Sequence, residues 1–177
     1  MFERFIDEAD EEWNSIDSTI NRAHQHASGV RKGAESAIGR SRGGLSSKVH
    51  AVCDANGNPI RFSVTEGQRH DAAEAVNIMS DLDGEVIIGD KGYDSEEIRD
   101  HIAALGAEPV IPYRESTKTR RHSFDKDLYK ARHAVENMFA KLKQMRAFAT
   151  RYDKLKRNYE GMTAMACSVL WAKVLRN

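Results

Sequence analysis

The sequence has few of the residues that mark secreted or membrane-embedded proteins. Of its 177 residues, 2 are cysteine, 3 are proline and 7% are aromatic. Cys53 and Cys167 lie far apart and show no pairing pattern, which is typical of reduced residues in a cytoplasmic protein. No apolar run approaches the roughly 20 residues that span a bilayer, and the acidic N-terminus does not resemble a signal peptide. We therefore expect a cytoplasmic protein without a membrane partner.

The sequence also lacks a net charge of either sign, but its charged residues are unevenly distributed along the chain. The 27 basic and 27 acidic residues cancel to +0. Residues 1–18 hold seven acidic residues and one basic residue, whereas residues 114–157 hold fourteen basic residues and five acidic ones. Such a basic block is typical of a surface that follows a nucleic-acid backbone. A solvated helix face next to a polar loop would give the same composition.

Turn residues and apolar runs predict a single α/β domain. Asn56 and Gly57 predict a hairpin turn between two strands. The apolar run over Val86–Ile88 predicts a central strand covered on both faces. Asp71 and Ser95 are predicted helix N-caps. The predicted strands are 12–20, 45–54, 60–65, 85–89 and 108–112, and the predicted helices are 71–82, 95–105, 125–145 and 159–175. This order predicts a mixed sheet flanked by helices, and it resembles the ribonuclease-H-like fold.

Two aspartates occupy positions where a sheet of this kind would place an active site. Asp17 lies in the first predicted strand, and Asp90 directly follows the central one. Ligands in α/β sheets gather beyond the carboxyl ends of the strands, and Gly92 would permit a sharp turn there. Capping of that turn would by itself also account for Asp90.

The long predicted helix carries a polar stripe. Tyr129, Arg132, Glu136 and Lys143 project within one narrow sector at 3.6 residues per turn. A helix that lies along DNA would present such a stripe. A solvated face with an ordinary Arg132–Glu136 ion pair is the alternative, and that pair would stabilise the helix by only a few tenths of a kcal/mol.

The spacing of these four residues is the Tyr-(2)-Arg-(3)-Glu-(6)-Lys signature of the large group of DDE-type bacterial insertion-sequence transposases, which this chain resembles. The match has no gap. Further segments resemble the insertion-sequence-five-like subfamily of that group and extend the resemblance over nearly the whole chain: 16–19, 23–26, 39–45 with Lys48 and His50, and 89–94.

The resemblance implies a ribonuclease-H-like catalytic domain over 1–150 and a helical segment over 151–177 packed on the same domain. It implies that Asp17, Asp90 and Glu136 are the catalytic triad and the ligands of Mg²⁺, for which Mn²⁺ would substitute. Carboxylate oxygens suit Mg²⁺, and two such ions can stabilise the attacking and leaving oxygens of a displacement at phosphorus. The implied reaction is cleavage of DNA at element ends, followed by attack of the freed 3′-hydroxyl on target DNA.

The partners implied by the resemblance are double-stranded DNA, as element ends and target, and further copies of the chain assembled on it. We also expect an upstream DNA-binding domain to be missing, because about sixteen residues precede Asp17. The residues expected to contact DNA are Tyr129, Arg132, Lys143, Arg40, Arg42, Lys48 and Lys91.

Two other functions use the same residues. A ribonuclease-H-like nuclease would cut with these carboxylates but would not join strands. A DNA-binding remnant or regulator would no longer cleave. His24, His26 and the pair His70 and Asp71 are candidate neighbours of the active site. The two nearby histidines also suggest zinc, but no third soft ligand accompanies them.

Overall fold

A computed structural model describes residues 2–10, 12–29, 34–118 and 124–175 of the chain. In the first half of the described chain the helices and strands are, in order, α1 (Glu3–Ile6), β1 (Trp13–Ala23), β2 (Gly39–Ser41), β3 (Gly44–Cys53), β4 (Pro59–Glu66) and α2 (Ala72–Ile78). In the second half they are β5 (Val86–Ile88), α3 (Glu96–Ala104), β6 (Glu108–Val110), α4 (His133–Lys143), α5 (Arg146–Ala149), β7 (Thr150–Arg151) and α6 (Lys156–Val174).

The strands form one mixed sheet with β1 near its centre. The strand order is β2-β3-β1-β5-β6, while β4 also pairs with β3 and β7 pairs with the end of β1. The pairs β1–β3, β2–β3 and β3–β4 are antiparallel, and the pairs β1–β5, β5–β6 and β1–β7 are parallel. This is the α/β architecture of the ribonuclease-H-like fold, as predicted.

Each face of the sheet is covered by its own hydrophobic core. On one face, α2 and α3 pack over Ile16 of β1 and Val52 of β3. On the other face, α4, α5 and α6 pack over Val49 and Ala51 of β3. Because neighbouring residues of a strand point to opposite faces, Asp17 and Ser18 of β1 face different layers of helices.

Local signals account for several element boundaries. The hairpin between β3 and β4 turns at Gly57, whose φ is +78°, as the Asn56-Gly57 pair predicted. The Ser95 hydroxyl accepts a hydrogen bond of 3.2 Å from the Ile98 N–H and caps α3, also as predicted. Gly106, with φ of +83°, ends the same helix.

Two helix predictions were wrong in detail. The single helix predicted over 125–145 begins instead with a 3₁₀ turn over Leu128–Arg132 and becomes α-helical only in α4. Asp71 precedes α2, but its side chain makes no capping hydrogen bond. Its carboxylate accepts hydrogen bonds from Ser18 and Lys48 instead.

Parts of two predicted loops lie outside the described residues, namely 30–33 of the glycine-rich stretch and 119–123 of the polar loop. Within the described residues, none of the helices combines the length and the apolar composition needed to cross a membrane.

Candidate active site

The three predicted carboxylates come from three elements and all act electrostatically on the guanidinium of Arg132. Asp17 lies in the middle of β1, where it pairs with Ala51 of β3. Asp90 directly follows β5, the parallel neighbour of β1, and its Oδ1 accepts a hydrogen bond of 2.6 Å from the Gly92 N–H. Glu136 lies in the first turn of α4, which packs on the same face as Asp17. Asp90 therefore caps its own turn and also faces the site.

Arg132 joins two of these carboxylates. Its Nη2 lies 3.2 Å from Asp17 Oδ2, and its Nη1 lies 2.7 Å from Glu136 Oε1. The side chains of Arg132 and Asp17 are each 21% exposed, so solvent screens this contact only partly. The other carboxylate oxygen of Glu136, Oε2, lies 3.2 Å from His133 Nδ1. The Arg132–Glu136 pair is therefore one half of a bridge between β1 and α4.

The electrostatic surroundings of Asp17 oppose its charge. Burial is the largest influence and raises the pKa of Asp17, and the carboxylates of Asp90 and Asp71 raise it further. The Ser18 N–H and the Arg132 guanidinium lower it, but the net pKa stays above its usual value. A desolvated carboxylate beside two others is a place where a further cation would be stabilised.

Arg132 and Tyr129 respond to the same cluster. Burial lowers the pKa of Arg132, but Asp17, Tyr129 and Glu136 outweigh it, so the net pKa is raised. Burial raises the pKa of Tyr129, with further increases from Asp90, Glu136 and Asp17. Because residues three apart in a 3₁₀ turn nearly eclipse each other, Tyr129 and Arg132 share one side of the turn before α4.

A second network lies beside Asp17 on the opposite face of β1. The Ser18 hydroxyl donates to Asp71 Oδ1 at 2.6 Å, and Lys48 Nζ donates to the same oxygen at 2.9 Å. Burial raises the pKa of Asp71, but these two hydrogen bonds outweigh it and the net pKa is lowered. His50 is almost fully buried, and its Nε2 lies 2.8 Å from the Thr65 hydroxyl. The sequence predicted Asp71 as a neighbour of the site, and Ser18 and His50 belong to the segments that carry the family resemblance, but no local pattern linked them to Asp71.

A buried ion pair holds the turn that follows Asp90. Asp94 Oδ1 lies 2.9 Å from Arg99 Nη2, and the two side chains are 3% and 2% exposed. The other oxygen, Asp94 Oδ2, accepts from the Arg114 N–H at 2.7 Å and from the Thr117 hydroxyl at 2.7 Å. The Arg114 side chain donates to the carbonyl oxygens of residues 91 and 92. The position of Asp90 therefore depends on this pair.

The chemistry of the three acids suits a divalent cation, although their arrangement is not that of a closed metal site. Among the described residues no group of three His, Cys, Asp or Glu side chains is arranged to hold a metal ion. Asp17 and Asp90 offer the oxygens that Mg²⁺ prefers. Glu136 is held by Arg132 and His133, so it would have to exchange Arg132 for an ion. The oxygens fit such a cation in kind, and the guanidinium of Arg132 lies between two of the three acids.

The other residues predicted to contact DNA are spread over the domain. Lys91 is exposed directly after Asp90, and Lys143 is exposed at the end of α4. Arg40 and Arg42 are exposed on β2 and the turn after it. Lys48 is 8% exposed, and its ammonium donates to Asp71 and to the Arg69 carbonyl. Contact of these residues with DNA stays a prediction.

The histidine pair considered for zinc lies at the far end of β1. The rings of His24 and His26 have centroids 4.6 Å apart, and His24 stacks on Tyr152. The pair therefore packs as an aromatic cluster with Tyr152.

Comparisons with known proteins cover most of the chain. The family model described as the transposase DDE domain matches residues 9–171. The chain is 36% identical over 134 residues to a Brucella ovis protein named as a transposase for insertion sequence element IS6501, covering 73% of this chain and 100% of that protein. It is 29% identical over 142 residues to a Burkholderia cepacia protein named as a transposase for insertion sequence element IS402. The match covers 73% of this chain but 64% of the second protein, slightly less than two thirds of its length.

Proposed function

This chain belongs to the transposase DDE domain family of insertion-sequence transposases, and from that premise we propose that it cleaves DNA at element ends and joins the freed 3′-hydroxyl to target DNA. The observation that carries the proposal is the convergence of Asp17, Asp90 and Glu136 from β1, the end of β5 and α4. These acids are far apart in the sequence, yet all three act electrostatically on Arg132, and a fold stabilised only by its cores would not need them near one another.

Asp17, Asp90 and Glu136 would hold the divalent cation that this reaction needs, Mg²⁺ or in its place Mn²⁺. When bound, it would stabilise the charge that develops on the attacking and leaving oxygens at phosphorus. Burial and the neighbouring Asp90 carboxylate raise the pKa of Asp17 and disfavour its charge, so a cation at this position would be stabilised. The chain offers no nucleophile of its own in this scheme and contributes positions and charge.

Arg132 has two roles in the proposal. Before the cation binds, its guanidinium neutralises Asp17 and Glu136 at 3.2 and 2.7 Å. If Glu136 held a cation instead, the planar guanidinium of Arg132 would be free to grip a DNA phosphate with two hydrogen bonds. Tyr129 lies on the same side of the turn and would contact the same stretch of backbone.

The proposal is tested by nicking of duplex DNA that carries the element ends, in the presence of Mg²⁺ or Mn²⁺. The variants Asp90→Asn and Glu136→Gln should lose at least a hundredfold in rate while they keep their fold. Asp127→Asn is the matched control, because its carboxylate is 90% exposed and pairs with Lys130, away from the three acids. Cleavage that survives in both active-site variants would contradict the assignment of the acids.

Two further outcomes separate the alternatives. Cleavage without joining of the 3′ end to a target plasmid would indicate a ribonuclease-H-like nuclease. DNA binding without cleavage, even when the chain is fused to an upstream DNA-binding domain, would indicate a non-catalytic remnant. We also propose that the chain works as a homo-oligomer on DNA in the cytoplasm. We assign it to the insertion-sequence-five-like subfamily as part of this proposal. We further propose that 1–150 is the catalytic domain and that 151–177 is a helical segment packed on it.

A further inference from the structure

One strip of β1 stays open to solvent beyond the site. Ser18, Ile20 and Arg22 point to the same face of the sheet, because they are two residues apart in a strand. Ser18 is bonded to Asp71 beside the site, whereas Ile20 is 47% exposed and Arg22 is exposed. The helices that cover Ile16 on this face do not reach the end of the strand. An exposed strip therefore runs along β1 on the face of the sheet opposite to the side chain of Asp17.

The strip ends in a groove of about 530 Å³, here called the arginine groove, which Ile20, Arg22, Arg40 and Arg42 line together with Gly67 and Gln68. The Arg22 guanidinium lies beside Gly43, where a Cβ would meet its Nε at 3.8 Å. Within the described part of the chain, none of the three guanidiniums makes a hydrogen bond or an ion pair. The carboxylate of Glu66, which precedes Gly67, accepts a hydrogen bond of 2.5 Å from the Gln68 Nε2 rather than from these arginines.

Three unpaired guanidiniums around one groove are suited to a polyanion. A guanidinium holds a phosphate with two parallel N–H donors, and unpaired arginines keep that capacity free. A single phosphate ion would engage one of them, whereas a chain of phosphates would engage all three. The exposed Ile20 among the cations offers an apolar contact that matches a deoxyribose ring.

We propose that the arginine groove binds the backbone of the DNA strand that continues from the scissile phosphate. This inference rests on the proposed function, because it places the groove relative to the cleavage site. Five residues of strand separate Asp17 from Arg22, which is roughly 17 Å at about 3.3 Å per residue. Asp17 and Arg22 point to opposite faces of β1, so the DNA strand would pass from one face to the other beyond the end of β5, which pairs with β1 up to Ser15. This path is longer than the distance along the strand, and at about 3.4 Å per nucleotide it places the groove roughly five to ten nucleotides from the cleavage site. Arg40 and Arg42 were expected to contact DNA, but Ile20 and Arg22 were not.

The first test measures DNA affinity against salt concentration in EDTA, so that no cleavage occurs. The double variant Arg22→Ala/Arg42→Ala should reduce the slope of log affinity against log salt by about 1.8 for a duplex and about 1.4 for a single strand. Lys141→Ala/Lys173→Ala is the matched control, since both lysines are exposed and line a different pocket between α4 and α6. Equal slopes for the two double variants would overturn the proposal.

The second test locates the groove on the DNA by disulfide crosslinking. Cys53 and Cys167 are fully buried, and burial raises the pKa of both thiols, so a cysteine introduced by Ile20→Cys is the reactive one. Oligonucleotides with a tethered thiol at successive positions should crosslink roughly five to ten nucleotides from the element end. Met165→Cys, at a 57% exposed position on α6, is the control.

The outcomes distinguish this inference from the proposed function. Crosslinks at the expected positions without metal-dependent nicking would refute the proposed function and leave the DNA groove in place. The opposite outcome would be nicking that depends on Asp90 and Glu136, together with crosslinks from Ile20→Cys that are no stronger than those from Met165→Cys. It would refute DNA binding by the arginine groove and leave the proposed function in place.

Discussion

Removing the Asp94 carboxylate should destabilise the protein more than a surface substitution can. The change Asp94→Ala leaves the guanidinium of Arg99 buried without its counterion, at a side chain that is 2% exposed. Breaking a buried ion pair from one side costs about 3–5 kcal/mol. The partners Arg114 N–H and Thr117 hydroxyl also lose their acceptor. We expect a loss of about 4 kcal/mol, which is a large share of the roughly 5–15 kcal/mol that stabilises a domain.

Urea unfolding followed by circular dichroism measures this loss. With a slope of about 2 kcal/mol per molar, a loss of 4 kcal/mol lowers the midpoint by about 2 M. The double variant Asp94→Leu/Arg99→Met should recover much of it, because no buried charge then remains unpaired. Asp127→Ala, which removes an exposed carboxylate, should change the free energy of unfolding by less than about 1 kcal/mol.

A loss below about 1 kcal/mol in Asp94→Ala would refute this reasoning, because it would mean that Arg99 finds another partner or reaches solvent. The same variant should also slow DNA cleavage. The pair fixes Arg114, which holds the carbonyl oxygens of the turn directly after Asp90.

Three further predictions concern single side chains. Burial lowers the pKa of His50 to about 4, so between pH 6.5 and 4 this histidine is protonated in the unfolded chain but neutral in the folded one. The free energy of unfolding should therefore fall by about 2 kcal/mol from pH 7.5 to 5. Urea unfolding of His50→Gln should lack this part of the fall. Arg132→Gln removes the guanidinium that pairs with both Asp17 and Glu136. Calorimetry should then show that Mn²⁺ binds about tenfold tighter, whereas the control Lys130→Gln should leave the affinity for Mn²⁺ unchanged. An unchanged affinity in Arg132→Gln would show that the bridge does not compete with metal. Gly57→Ala should lower the free energy of unfolding by about 1–3 kcal/mol, measured by thermal unfolding, because φ is +78° and the new Cβ would lie 3.2 Å from the Ala134 carbonyl oxygen. Unchanged stability would show that the turn can relax around the alanine.

Much of the fold could be predicted because its signals are local. The apolar run Val86–Ile88, the Asn56-Gly57 pair and the Ser95 cap each depend on a few neighbouring residues. They fixed the order of strands and helices and hence the class of the sheet. The same order put Asp17 in the first strand and Asp90 just after β5.

The details that could not be predicted depend on distant partners. Asp71 has the side chain of a helix cap, but Ser18 and Lys48 of the neighbouring strands bind its carboxylate instead. The turn before α4 is 3₁₀ rather than α-helical, and there Arg132 reaches Asp17, 115 residues away in sequence. A two-residue strand such as β7 has no periodicity to detect, since its pairing with β1 alone defines it.

The central position of β1 has a consequence for synthesis on the ribosome. This strand emerges early, yet its parallel partners β5 and β7 follow roughly 70 and 130 residues later. Pairings of such long sequence separation form late, because the loops between them must close first. Asp17 therefore stays apart from Glu136 until α4 has left the ribosome. Under the proposed function, a chain that ends before residue 136 would lack Glu136 and would therefore be unable to cleave DNA.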